Sequence, residues 1–302
     1  MQRVPMSSSR TRRGFTMIEL LVALVLLGIV SAALYRVLVN NQRLYQEQTA
    51  RIDLSQNIRA AGSILPAEFR QLDASEGDIS AMSATSISIR AMRWLGFACQ
   101  APVLGGALNG VSVIIRGGAP GQPLFYGARG INNNTDSLLI YFDGDPTTRA
   151  DDFWAIAGIN AAPNGQNCPD GQNGQRLIIN LNLLGLGLNA AGGIPTGAPV
   201  WGFERVTYQL YQPAGDTSWY VGFQPAGGSM QPLIGPVLTN GLTFSYFDIN
   251  NNATAVRSQV ARIDITVRAR TTSAVRAGGQ AARLTAIDSV VTSVALRNNR
   301  RF

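Results

Sequence analysis

The chain has no lysine and no histidine, and only two cysteines in 302 residues. Without histidine there is no imidazole base and no conventional catalytic triad; without lysine there is no Schiff base and no Ser–Lys pair. Any two of the aspartates are free to meet as a carboxylate dyad, but nothing in their spacing marks one. The chemistry left over is that of a non-enzymatic protein without a cofactor. The basic residues number 25, all arginine, against 18 acids, for a net charge of +7. Arg3, Arg10, Arg12 and Arg13 crowd the start of the chain. The others are scattered without an arginine–aromatic cluster, which reads as a solvated surface, and no nucleic-acid partner is expected.

Charge is also missing from a long stretch. Leu20 to Tyr35 is apolar throughout, and a single carboxylate, Glu19, stands at its mouth. An ionised group in a bilayer-grade helix costs about 2.5–3.5 kcal/mol. Nothing in the run neutralises it, so Glu19 requires a partner from outside its own helix. A basic flank followed by an apolar run is the layout of an export or anchoring signal and keeps the flank cytoplasmic. Three forms of it compete. A secretory signal has a cut site after Ala33, in the small-x-small sequence Ser31-Ala32-Ala33. A twin-arginine signal is hinted at by Thr11-Arg12-Arg13-Gly14-Phe15. The third is a leader that ends in glycine, followed by an aromatic residue and a glutamate. It gives the carboxylate a purpose, which an ordinary signal does not.

The string Gly14-Phe15-Thr16-Met17-Ile18-Glu19-Leu20-Leu21-Val22-Ala23-Leu24 resembles the prepilin signal of type IV pilins and pseudopilins. The resemblance implies cleavage between Gly14 and Phe15 by a prepilin peptidase and methylation of the new Phe15 amino group. Residues 1–14 are then a cleaved basic leader. In a fibre, Glu19 neutralises the Phe15 ammonium of a neighbouring subunit, in a low-dielectric bundle where an unpaired charge is strongly disfavoured. The bland alternative, snorkelling of Glu19 at the membrane edge, asks much of so short a side chain. The order Gln231–Val237, Leu242–Asp248, Val260–Val267 and Val294–Asn298 is similar, less specifically, to PilW-type minor pilins and J-type minor pseudopilins. The Asn/Gly-rich middle has no counterpart in that likeness. The implied protein is a minor pilin at or near a pilus tip that helps initiate assembly. The alternatives are a minor pseudopilin of type II secretion and a membrane-anchored adhesin. The implied partners are the peptidase, other minor and major pilins or pseudopilins, and the bacterial inner membrane, crossed once with the head in the periplasm.

Helical patterning continues without proline to Pro66. Leu38, Tyr45 and Ile52 recur at heptad spacing, and Ile58, Ala61, Leu65 and Phe69 follow at steps of three and four. Arg36, Arg43, Glu47, Arg51, Asp53 and Arg59 place this half outside lipid. One helix over 15–70 is predicted, with 15–35 spanning the membrane and the remainder burying its stripe against a head. From about residue 76 to 302, β-prone runs alternate with Gly/Pro/Asn loops. They lie at Ser86–Met92, Val111–Arg116, Leu138–Phe142, Leu177–Leu181, Val206–Tyr211, Trp219–Phe223, Leu242–Phe247, Ile263–Arg268 and Val290–Leu296. The fold class is α+β, a long helix on a β-rich head built as one large or two fused units, with no clean linker and no repeat.

Cys99 and Cys168 form an even pair in loop-like surroundings. In an oxidising compartment they are candidates for a disulfide, with two free buried thiols as the alternative. Asp143, Asp145, Asp151 and Asp152 follow a strand and form a weak oxygen-rich calcium candidate; a solvated turn uses the same residues. Asp248-Ile249-Asn250-Asn251-Asn252 begins like a calcium loop, but Ala253 and Gln259 stand where glycine and an acid belong, which favours a turn.

Overall fold

The structure is a computed structural model that describes residues 14, 16–104, 111–117, 126–127, 129–143, 147–150, 152–162, 166–180, 193–276 and 283–296. A single helix, α1 (Met17–Phe69), runs for 53 residues, about 80 Å at ~1.5 Å per residue. Its N-cap is Thr16, and it ends at Arg70, whose N–H reaches the carbonyl of Pro66. Pro66 is tolerated because it sits in the last turn, where the helix is already ending. Asp73 then takes the chain out of the helix by accepting from the Ser75 and Glu76 amides and the Ser75 hydroxyl.

The head is one antiparallel sheet with a small hairpin beside it. In chain order its strands are β1 (Ile79–Met82), β2 (Ser86–Phe97), β3 (Val103–Leu104), β4 (Val111–Arg116), β5 (Tyr126–Gly127), β6 (Asp136–Phe142), β7 (Phe153–Ala161) and β8 (Gln166–Asn167). There follow β9 (Asn173–Asn180), β10 (Pro199–Tyr211), β11 (Trp219–Gln224), β12 (Gln231–Phe247), β13 (Arg262–Arg270), the hairpin β14 (Val275–Arg276) with β15 (Arg283–Leu284), and β16 (Ile287–Ala295). The main order is β16-β13-β12-β11-β10-β6-β7-β9-β4-β3. β2 lies against β10 over almost its whole length and also pairs with β1 and β5.

Two apolar cores form along this sheet. The first gathers Leu54, Ala61, Leu65 and Phe69 of α1 against Ile87 and Ile89, Val206 and Tyr208, Phe244, and Ile263, Ile265 and Val267. Phe69 sits edge-on to Tyr208, with ring centroids 5.8 Å apart. The second packs Trp94, Val113 and Ile115, Leu138 and Ile140, Ala155 and Ala157, Leu177 and Ile179, and Val200. β2 and β10 contribute to both. Along β10, Val200, Gly202, Glu204, Val206 and Tyr208 share one face by alternation. Val200 faces the second core, Val206 and Tyr208 face the first, and Glu204 stands between them. The head is thus one sheet with two cores threaded by the same pair of strands, which is why no linker is visible in the sequence.

β2 changes phase at the boundary. Ile87, Ile89 and Ala91 are buried, then Trp94 and Gly96. The pairing steps from Phe203↔Met92 to Gly202↔Trp94, which leaves Arg93 as the extra, bulged residue. Trp94 lies so close over Gly202 that a Cβ there would be 1.8 Å from its ring.

The helix stripe departs from expectation. Leu38, Tyr45 and Ile52 are 57%, 72% and 55% exposed; the buried stripe starts at Ala50 and Leu54 and continues through Ala61, Leu65 and Phe69. The heptad reading mistook an uncovered apolar line for a docked one, since periodicity alone does not say where the sheet begins. Further differences concern strands. β7 was not expected, because small alanines (Ala155, Ala157) point inward while Ile156 points out. The first half of β12 was masked by Pro232 and Pro236, which fit because its pairing with β11 is irregular there. The first half of β10 was also unexpected, although Leu138–Phe142, Trp219–Phe223 and Ile263–Arg268 all fall inside observed strands. Substituting Gly202→Ala is expected to lower stability by about 1–3 kcal/mol through overpacking against Trp94, readable as a lower denaturant midpoint with an unchanged fold by circular dichroism.

Candidate functional site: the amino-terminal segment and its anchorage

Gly14 lies exposed ahead of the helix, and Phe15 lies outside the described residues. Thr16 is the N-cap: its hydroxyl accepts from the Glu19 amide at 3.3 Å, and its own N–H donates to Glu19 Oε2 at 3.2 Å. The Thr16 hydroxyl also lies 3.2 Å from that oxygen. This is a reciprocal capping box, and its signature, Thr-x-x-Glu, is plain in the sequence. The structure thus adds a local role for Glu19: its hydrogen bonds are met at the helix start, while its charge acquires no counter-ion among the described residues. A carboxylate in the first turn is also favoured by the helix dipole. Every side chain from Met17 to Tyr35 is exposed, and the helix has the length and apolarity to cross a membrane. The head covers none of this run, whose natural surroundings are lipid or other helices.

The other end of α1 is tied into the head by charge. Glu68, in its last turn, accepts from Arg93 Nη1 at 2.9 Å. Arg93 Nε donates to Glu204 at 3.1 Å, and Glu204 also accepts from Arg129 at 3.1 Å. Arg129 grips Asp136 in a two-pronged contact at 2.9 and 2.5 Å. Asp136 further accepts from the Trp94 indole at 3.1 Å and the Asn132 amide at 2.9 Å. The chain Glu68–Arg93–Glu204–Arg129–Asp136 fills the boundary between the two cores. Burial works against the Arg93 charge, yet the Glu68 and Glu204 carboxylates raise its pKa above the ordinary value. The bond to Asp136 raises that of Arg129 against the opposing effect of burial. Burial likewise opposes the ionised Asp136, but Arg129, Asn132 and Trp94 together hold its pKa below the usual carboxylate range. No periodicity in the sequence points to these five residues, which come from α1, β2, β10, a loop and β6.

Cys99 and Cys168 are joined by a disulfide, with Cα atoms 5.7 Å apart, packed on Ile114. It pins the end of β2 to the β8–β9 hairpin. Of the four carboxylates considered for calcium, Asp145 and Asp151 lie outside the described residues. Asp152 accepts the Tyr141 hydroxyl, and this bond, burial and the nearby Asp143 charge push that phenol up to about 12. Among the described residues no three His, Cys, Asp or Glu side chains converge on a point that could hold a metal ion. Asp248 spends its carboxylate on the amides of Asn250 and Asn252, at 2.9 and 2.8 Å, as a turn does.

Residues 9–35 match the family model described as "Prokaryotic N-terminal methylation motif". No curated protein and no solved structure matches the chain. The motif covers Arg10, Arg12 and Arg13 of the basic flank, Gly14, Phe15, Glu19 and the apolar run, and it supports a type IV pilin-like or pseudopilin protein. Such a signal implies processing by a prepilin peptidase and assembly with other pilins, and with the apolar helix it fits a single-pass anchor in the inner membrane.

Two expectations follow. The lowered pKa of Asp136 means its ionised form stabilises the fold above the unfolded carboxyl value of about 3.9. That contribution is lost as pH falls through the lower folded value. Asp136→Asn should therefore be less stable than wild type at neutral pH and lose less on acidification, measured by denaturant titration of the folded chain between pH 7 and pH 3. Breaking the bridge with Cys99→Ser should lower head stability by up to about 4 kcal/mol in the chain-entropy picture, with one thiol, Cys168, titrating in the denatured protein where wild type shows none.

Proposed function

We propose that the chain is a minor type IV pilin, cleaved after Gly14, methylated on the Phe15 amino group and built into a pilus at or near its tip, where it helps initiate assembly. The observation that carries this reading is Glu19, capped by Thr16 but without a counter-charge among the described residues, at the head of an apolar helix that the described head leaves bare. The one cation that processing creates at this depth is the Phe15 ammonium, four residues before Glu19. A subunit's own ammonium precedes its helix; a neighbour's, shifted along the bundle, pairs with Glu19 without straining the cap. The large two-core head favours a low-copy position over a repetitive shaft, because a bulky irregular domain is harder to stack. The role is structural, with the peptidase supplying all catalytic groups.

The same segment serves a minor pseudopilin of type II secretion equally well, and the bare apolar helix supports both. Deleting the gene separates them: loss of surface fibres supports the pilin, and loss of exoprotein release with fibres intact supports the pseudopilin.

Intact-mass measurement of membrane-purified protein should give a chain starting at Phe15 and carrying one methyl group. A start at Leu34 would mark an ordinary secretory signal and end the proposal. Gly14→Val should block cleavage and leave the full-length chain in the membrane. Glu19→Ala should still be inserted and cleaved but fail in assembly, since a neighbouring ammonium would be buried alone at a cost of about 3–5 kcal/mol.

A further inference from the structure

On the face of the β2–β10 ribbon opposite the two cores, the fold brings together arginines that the helix and the signal do not use. Arg90 on β2 and Arg205 on β10 are direct cross-strand partners. Like charges placed directly opposite each other on an antiparallel pair are destabilising. Both guanidinium groups lie over one ring, that of Phe203, with centroid distances of 5.5 and 5.9 Å. Arg257, from the short helical turn Arg257–Gln259, reaches the same place and donates to the Ser80 carbonyl. The three arginines line a cleft of about 420 Å³ with Ser75, Ser80, Ser258, Ile79 and Val256, inside the range of about 300–1,000 Å³ typical of ligand sites.

The charge of this cleft is poorly balanced. Asp78, buried beneath it, lies 3.6 Å from Arg90. Arg205 and Arg257 are exposed and make no ion pair among the described residues. Arg90 also donates to the Glu76 carbonyl at 3.1 Å, so the charge left for a bound anion is chiefly that of Arg205 and Arg257. Guanidinium forks match planar carboxylates with two parallel hydrogen bonds.

We infer that this cleft is a binding site for a carboxylate-rich peptide segment of a partner protein. Two features favour a peptide. Serine hydroxyls and the exposed, apolar Val256 sit among the arginines, a lining that suits a chain with mixed side chains. The cleft is also remote from lipid: the helix runs from Tyr35 to Phe69 before reaching Ala74 and Ser75, about 50 Å at ~1.5 Å per residue, which removes anionic headgroups from reach. The exclusion of headgroups rests on the anchored reading, while the cleft itself does not depend on whether the chain is built into a fibre.

The test uses the full-length protein in detergent micelles, with fluorescein-labelled hexaglutamate as the probe, followed by anisotropy at low and at physiological salt. Binding should weaken with salt, fall by about tenfold in Arg205→Gln/Arg257→Gln through loss of two charge-assisted partners, and stay at the wild-type level in the exposed helix variant Arg59→Gln. The double variant should keep the wild-type circular dichroism spectrum, which shows that it folds. The inference is overturned if the folded double variant binds as wild type does, or if oligogalacturonate binds while hexaglutamate does not, which would place the site with acidic polysaccharides.

Discussion

The structure turns on one carboxylate at the head of one helix. Glu19 meets its hydrogen-bonding needs through Thr16, in a capping box that starts α1 and fixes where the helix begins. Hydrogen bonds of this kind reduce the cost of placing a carboxylate at the membrane edge, but they do not cancel its charge. Among the described residues Glu19 has no counter-ion, and no described residue covers the helix from Met17 to Tyr35. Lipid or other helices suit those side chains, and a neighbouring subunit's ammonium is the counter-charge proposed for Glu19.

At its far end the same helix becomes a core element. Leu65 and Phe69 are fully buried, and Glu68, between them in sequence, starts the ionic chain that reaches Asp136 in the second core. Partly satisfied buried charges are costly, whereas fully satisfied ones lock an arrangement in place. Here Arg93 and Arg129 each contact two carboxylates, and Asp136 accepts from an arginine, an indole and a backbone amide. The network holds the helix exit, the bulge in β2 and the start of β6 in one register. A head carried on a single helix gains from such a joint, because relative motion of its two cores would have to break several charge-assisted bonds at once.

The parts of this molecule that were legible in the sequence are those with simple periodicity. β13 alternates Ile263, Ile265, Val267 and Ala269 inward with charged or polar residues outward, and an uncharged run from Leu20 to Tyr35 admits few readings. β7 was illegible because it buries alanines and exposes Ile156. The first half of β12 was illegible because two prolines argue against a strand unless its pairing is irregular. The site itself was half legible. Gly14 and Glu19 stood out by motif, and the Thr16 cap was equally visible as Thr-x-x-Glu but carried no weight beside the charge. The five-residue ionic chain and the arginine cleft had no signal at all. Their members are brought together from separate strands and loops, and only the sheet order makes Arg90 and Arg205 neighbours.

The capping and charge roles of Glu19 are separable, because a glutamine at the third helical position completes a capping box as a glutamate does. The decisive quantity is the share of processed Glu19→Gln chain recovered in sheared fibres relative to the membrane fraction, alongside wild type. If the charge is what assembly uses, the glutamine chain is cleaved normally and stays in the membrane. Recovery of Glu19→Gln in fibres at the wild-type share would contradict that, and would reduce Glu19 to a helix cap.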